Sequence, residues 1–157
     1  MIKRSLLACA LLACAPARAE EVYFRGLFEV FSVGGCAIGP GRCASYLSVE
    51  SIIDDLCVSR PRSVAIAGHS LGASAAIRAV QGLKACGVRV KAAAFLDPMT
   101  HPYGIPKGTR TLVIYSPAFA GSGEGHSDTT KYHGGHIGLA FDPAIRARVR
   151  ALFDGAK

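Results

Sequence analysis

The chain has 157 residues, half of them apolar and 18% charged, with 18 Lys and Arg against 11 Asp and Glu. That is the length of one domain and the composition of a packed protein, which excludes a disordered chain. The formal charge of +7 is not arranged as basic residues interleaved with aromatics, so nucleic-acid binding is not expected.

Residues 1–19 read as a signal peptide. Lys3 and Arg4 form a basic start, "SLLACALLACA" is an apolar run too short to span a bilayer, and "ARA" (Ala17 to Ala19) supplies small residues at a cleavage site. The remaining residues, 20–157, are expected to form a single domain with no membrane-spanning segment. Removing Lys3, Arg4 and Arg18 lowers the charge from +7 to +4, so part of the basic character belongs to the leader. Export predicts a periplasmic or secreted protein. It also predicts disulfides among the four cysteines left after Cys9 and Cys14. Cys36–Cys43, closing a short loop around "AIGPGR", and Cys57–Cys86 are the favoured pairings. No C-x-x-C spacing is present, so a metal site is not expected.

In the mature part, "EVYFRGLFEVFS" (Glu21 to Ser32) reads as a strand interrupted at Gly26. "VGGCAIGPGRCAS" (Val33 to Ser45) reads as loop, and "SVESIIDDLCVS" (Ser48 to Ser59) as a short helix burying Ile52, Ile53 and Leu56. "SVAIAG" (Ser63 to Gly68) is a nearly continuous apolar run, as expected for a strand buried on both faces of a parallel sheet. A helix follows over Leu71 to Gly87, with Ala76, Ile77, Val80 and Leu83 on one face. "VRVKAAAFLD" (Val88 to Asp97) and "RTLVIYS" (Arg110 to Ser116) are two more strands, each stopped by a proline. Residues 117–136 read as one long polar loop. The last helix begins at Asp142 as its cap with Pro143 in its first turn, and Ile145, Val149, Leu152 and Phe153 form its buried stripe. The solvated face of that helix would carry "RARVR" (Arg146 to Arg150). Alternating strands and helices predict an α/β layer fold with a mostly parallel sheet.

The turn "GHSLG" (Gly68 to Gly72) matches G-x-S-x-G, with a buried strand running in and a helix running out. This context marks Ser70 as a candidate nucleophile held on a tight turn. Glycines flank it where side chains would crowd the backbone. A serine hydroxyl needs a base, and the base needs an orienting acid. Asp97 ends the next strand and His136 precedes the last helix, which places Ser, Asp and His in that chain order. Asp128 is the rival acid and His133 the rival base. His69 shapes the turn or packs beside it, and His101 is a surface residue. Tyr103 and Tyr115 are residues of the core or of a pocket rim. The cluster His126, Asp128, His133 and His136 has no tetrahedral ligand spacing.

On "AIAGHSLGASAA", "FLDP" and "HIGLAFDPAIRARV", the sequence resembles the α/β-hydrolase superfamily, in particular its small lipase- and esterase-like members. The resemblance runs from about Val22 to Phe153. It implies a minimal three-layer α/β-hydrolase-like sandwich without a cap domain. The implied activity is serine esterase or lipase-like hydrolysis of ester or thioester bonds in an acyl or lipid-like small molecule. It further implies Ser70 as nucleophile, His136 as base, Asp97 as acid, and the backbone N–H groups of Leu27 and Leu71 as the oxyanion hole, with no cofactor and a monomeric chain. "VYFRGLF" carries Arg25 where the family often has His. The stretch from Gly26 to Gly68 is short for the family, which is read as an early strand or helix missing and replaced by the Cys-bearing loop. A second reading follows from that: a non-catalytic binding or structural relative with an incomplete N-terminal half.

Overall fold

The computed structural model describes residues 19–27, 40–116 and 129–155. Among them lies a six-stranded, wholly parallel sheet in the order β2-β1-β3-β4-β5-β6. The strands are β1 (Ala19–Arg25), β2 (Arg42–Ser45), β3 (Ser63–His69), β4 (Val90–Leu96), β5 (Arg110–Tyr115) and β6 (Thr129–Lys131). The helices are α1 (Val49–Ser59), α2 (Leu71–Ala85), α3 (His136–Phe141) and α4 (Pro143–Asp154). The expectations for residues 1–18 and for the Cys36–Cys43 pair fall wholly or partly outside the described residues, as do those for His126 and Asp128.

Side chains alternate across the strands, so β1, β3, β4 and β5 each feed two cores. On one face Val22, Phe24, Val64, Ile66, Phe95 and Val113 pack against α1 and α2. On the other, Tyr23, Ala67, Ala94, Leu96, Leu112 and Ile114 meet Leu139 of α3 and Ile145, Val149 and Phe153 of α4. The result is the three-layer α/β sandwich expected from the sequence. All seven residues of β3 are buried, which explains why its sequence shows no polar face.

Three short elements depart from the sequence reading. The Cys-bearing stretch contains an edge strand, β2, hydrogen-bonded to β1 through the Val22–Arg42 to Arg25–Ser45 register. Between Gly26 and β3 the described residues thus supply one strand and one α-helix. The long polar loop ends in β6, the opposite edge. His136, expected in a loop, is the first residue of α3. Arg150 is also more than a solvated charge: its guanidinium makes two 2.7 Å bonds to Glu21 and so ties α4 to β1. The Asp142 cap is as expected, with its carboxylate accepting from the N–H groups of Ala144 and Ile145. Tyr132, followed by the backbone N–H of Ala144, holds that carboxyl below the usual carboxylate range.

Cys57 near the end of α1 is bonded to Cys86 just beyond α2, across a sequence separation of 29. Gly82 of α2 lies against Ile53 of α1, so the link staples two helices already in contact. By loop-closure entropy such a ring stabilises by about 3 to 4 kcal/mol. The double variant Cys57→Ala/Cys86→Ala is expected to lose about that much in chemical denaturation, with an unchanged fold by circular dichroism.

The order of the strands places the site. From β1 the chain moves outward to β2, then returns to β3 on the other side of β1. The carboxyl ends of β1 and β3 therefore border the switch point of the sheet, where ligands of open α/β sheets bind.

Candidate active site

β3 ends at His69 and α2 starts at Leu71, so Ser70 alone makes the turn. Its backbone sits at φ 57° and ψ −124°, a conformation that costs about 1 to 3 kcal/mol and persists only where the surroundings impose it. They do so through backbone bonds. The Ser70 N–H donates to Leu96 O at 2.9 Å, and its carbonyl accepts from Ala73 and Ser74 of the new helix. The motif glycines are required by contact. A Cβ on Gly68 would lie 2.1 Å from the Gly72 carbonyl oxygen, and one on Gly72 would lie 2.1 Å from that of Phe24. Gly72→Ala is therefore expected to cost more than about 3 kcal/mol, read as a collapse of soluble yield and of the melting temperature. A Gly72→Ala protein with wild-type stability would contradict this packing.

Gly26, at the end of β1, abuts the same turn: a Cβ there would stand 3.2 Å from Ser70 Cβ. Leu27 follows it and is exposed. Leu71, directly after Ser70, is the first residue of α2.

Asp97 caps the next strand. It is fully buried and has a φ of 51°, a left-handed conformation that Asp tolerates better than most residues. Its N–H donates to Ile114 O at 2.7 Å. One carboxylate oxygen, Oδ1, accepts from the Ser116 N–H at 2.9 Å. The other, Oδ2, accepts from the Ser116 hydroxyl and lies 2.6 Å from His136 Nδ1. A carboxylate only accepts, so the network assigns the proton to Nδ1. That leaves Nε2 with its lone pair, 2.9 Å from Ser70 Oγ. The chain Ser70–His136–Asp97 is continuous, with both imidazole nitrogens engaged.

The remaining candidates sort clearly. His133 is exposed, and His136 is the histidine bonded to Ser70. His101 and Tyr103 are exposed, whereas Tyr115 is a core residue. Burial and the neighbouring Asp97 carboxylate push the Tyr115 phenol above its ordinary pKa. His69 is buried, with Nε2 at 2.9 Å from the His136 carbonyl oxygen. Ser116 was not singled out from the sequence. Its only signal there is its place at the end of a strand before Pro117, which names no partner. Among the described residues no group of three or more His, Cys, Asp or Glu side chains is placed to hold a metal ion. No described helix is long and apolar enough to cross a membrane.

No family model matches the sequence, and no curated protein matches it. Solved structures do resemble it in three dimensions. Human thioesterase 2 superposes with a TM-score of 0.59 at 15% identity, over 89% of this chain and 96% of that one. A protein of unknown function from Agrobacterium tumefaciens gives 0.58 at 13% identity, over 91% and 93%. A hyperthermophilic esterase from the archaeon Pyrobaculum calidifontis gives 0.53 at 14% identity, over 90% and 74%. The fold is α/β-hydrolase-like. At such identities the likeness concerns the fold, and chemistry has to be argued from the site.

Proposed function

We propose that the protein is an exported serine hydrolase that cleaves acyl ester or thioester bonds, residues 1–19 being its leader and 20–157 one domain. The observation that carries this reading is the unbroken hydrogen-bond chain from Ser70 Oγ through His136 to buried Asp97. Its parts match what acyl transfer requires. Ser70 Oγ attacks the substrate carbonyl while Nε2 of His136 takes its proton, which forms the tetrahedral intermediate. Asp97 stays ionised, holds the Nδ1–H tautomer and stabilises the imidazolium. Nε2 then gives the proton to the leaving alcohol or thiol as the carbon–oxygen or carbon–sulfur bond breaks. Water enters by the same steps, releasing the carboxylic acid and restoring Ser70.

The backbone N–H groups of Leu27 and Leu71 are assigned to the developing oxyanion. They need no side chain for the task, and Leu71 adds the positive end of α2. The substrate class follows from the surroundings of the same residues. Leu27, Met99 and Ile137 are exposed apolar side chains, and each lies within two positions of Gly26, Asp97 or His136. Apolar neighbours of this kind support an acyl chain over a sugar or a peptide of charged residues. The residues themselves supply nucleophile, base and acid, so no cofactor is invoked.

The test is hydrolysis by the purified, oxidised protein of p-nitrophenyl esters from acetate to decanoate and of the matching acyl thioesters. Turnover is expected in both series, with kcat/KM rising from acetate toward longer chains. A folded protein that turns over neither series would overturn the proposal.

A further inference from the structure

The histidine directly before Ser70 takes no part in the steps above, yet it touches the base in two ways. Its Nε2 lies 2.9 Å from the backbone carbonyl oxygen of His136. A carbonyl oxygen only accepts, so Nε2 carries the proton and donates it. The two imidazole rings also lie face against face at a tilt, with centroids 4.7 Å apart and planes inclined by 36°.

We infer that His69 is a positioning residue, which holds the backbone and ring of His136 at the distance Ser70 requires. The inference rests on the reading of Ser70, His136 and Asp97 as a triad. Its physical basis is the contrast between the two chain segments. His136 arrives on "HGGH" (His133 to His136), after two glycines, and opens a helix of only six residues whose N-cap, Gly135, offers no side-chain bond. Glycines hold few conformational preferences, and a helix this short has little stability of its own. The bonds to Asp97 and Ser70 restrain the imidazole but not the backbone that carries it. His69 ends β3, a fully buried interior strand, and is covalently joined to Ser70. A tether from His69 to His136 therefore refers the base to the same turn that holds the nucleophile. Its Nε2 faces a carbonyl instead of Ser70 Oγ, which assigns it to support and not to proton transfer. Displacing a reacting group by about 1 Å costs about 100-fold in rate, so a tether of this kind has a measurable effect.

The test uses the full mature protein and three variants. His69→Gln keeps a donor that can reach the same carbonyl. His69→Phe keeps a ring without the donor, and His69→Leu keeps neither, so the donorless case survives if one of the two does not fold. Two readouts are taken. The first is the downfield imidazole proton resonance of the Asp97–His136 bond, identified by its loss in His136→Gln. It should be sharp in the wild type and in His69→Gln, and broadened or lost in the donorless variants. The second is kcat per titrated active serine. It should fall about 10- to 100-fold in the donorless variants with KM within about twofold, and be largely restored in His69→Gln. A resonance and a kcat that persist unchanged in a folded donorless variant would overturn the inference. If the resonance responds as expected but no form of the protein hydrolyses esters or thioesters, the positioning role stands and the hydrolase proposal fails.

Discussion

Ser70→Ala is expected to lower ester hydrolysis by about 10⁵- to 10⁶-fold, leaving only what substrate binding and the oxyanion donors provide. Loss of one hydroxyl has this effect because, on the proposed mechanism, that hydroxyl forms the acyl-enzyme. The imidazole of His136 keeps its bond to Asp97 but loses the group it deprotonates. Stability should hardly change. Ser70 is fixed through its backbone N–H and carbonyl, which the alanine retains. Steady-state assays and a thermal melt on the same preparation separate the two effects. A variant that keeps more than about a hundredth of the wild-type kcat would show that the serine is not the nucleophile.

Asp97→Asn is expected to lower kcat by about 10⁴-fold with little change in KM. The carboxylate now receives three hydrogen bonds, from Ser116 N–H, from the Ser116 hydroxyl and from His136 Nδ1. An amide can still accept at one atom, so Ser116 keeps a partner and the strand end remains in place. At the other atom the amide donates, which turns His136 toward the tautomer with the proton on Nε2. That tautomer cannot take a proton from Ser70. Asp128→Asn serves as the control, since Asp128 was the competing acid in the sequence, and it should keep the wild-type rate. Equal losses in the two variants would reject Asp97 as the orienting acid.

The parts of this architecture that were legible in the sequence are those with strong local signals. β3 announces itself by an apolar run, α2 by helical spacing of Ala76, Ile77, Val80 and Leu83, and the turn between them by two glycines around Ser70. Contact explains the latter, for neither Gly68 nor Gly72 has room for a Cβ. The elements that were not legible are short and borrow their stability from neighbours. β2 has four residues, β6 has three and α3 has six, too few to establish a period of either kind. Edge strands this short form because β1 and β5 offer them hydrogen bonds, and α3 forms because Leu139 is drawn into the core under the sheet.

The same distinction holds in the site. Ser70, Asp97 and His136 each stand at a strand end or before a helix, so their residue type and place were readable. Their supports were not. Ser116 lies nineteen positions from Asp97 and His69 lies sixty-seven from His136. Ser116 meets Asp97 where the parallel strands β4 and β5 end together, and His69 at the end of β3 meets His136 at the start of α3. His69 illustrates the point well: the motif names its position but not its partner.

The measurement that bears most directly on the whole account is the mass of the oxidised protein after treatment with a fluorophosphonate. One adduct per chain is expected, carried by the peptide that contains Ser70 and absent after Ser70→Ala. A folded protein that takes up no adduct, or takes it up on another residue, would contradict it.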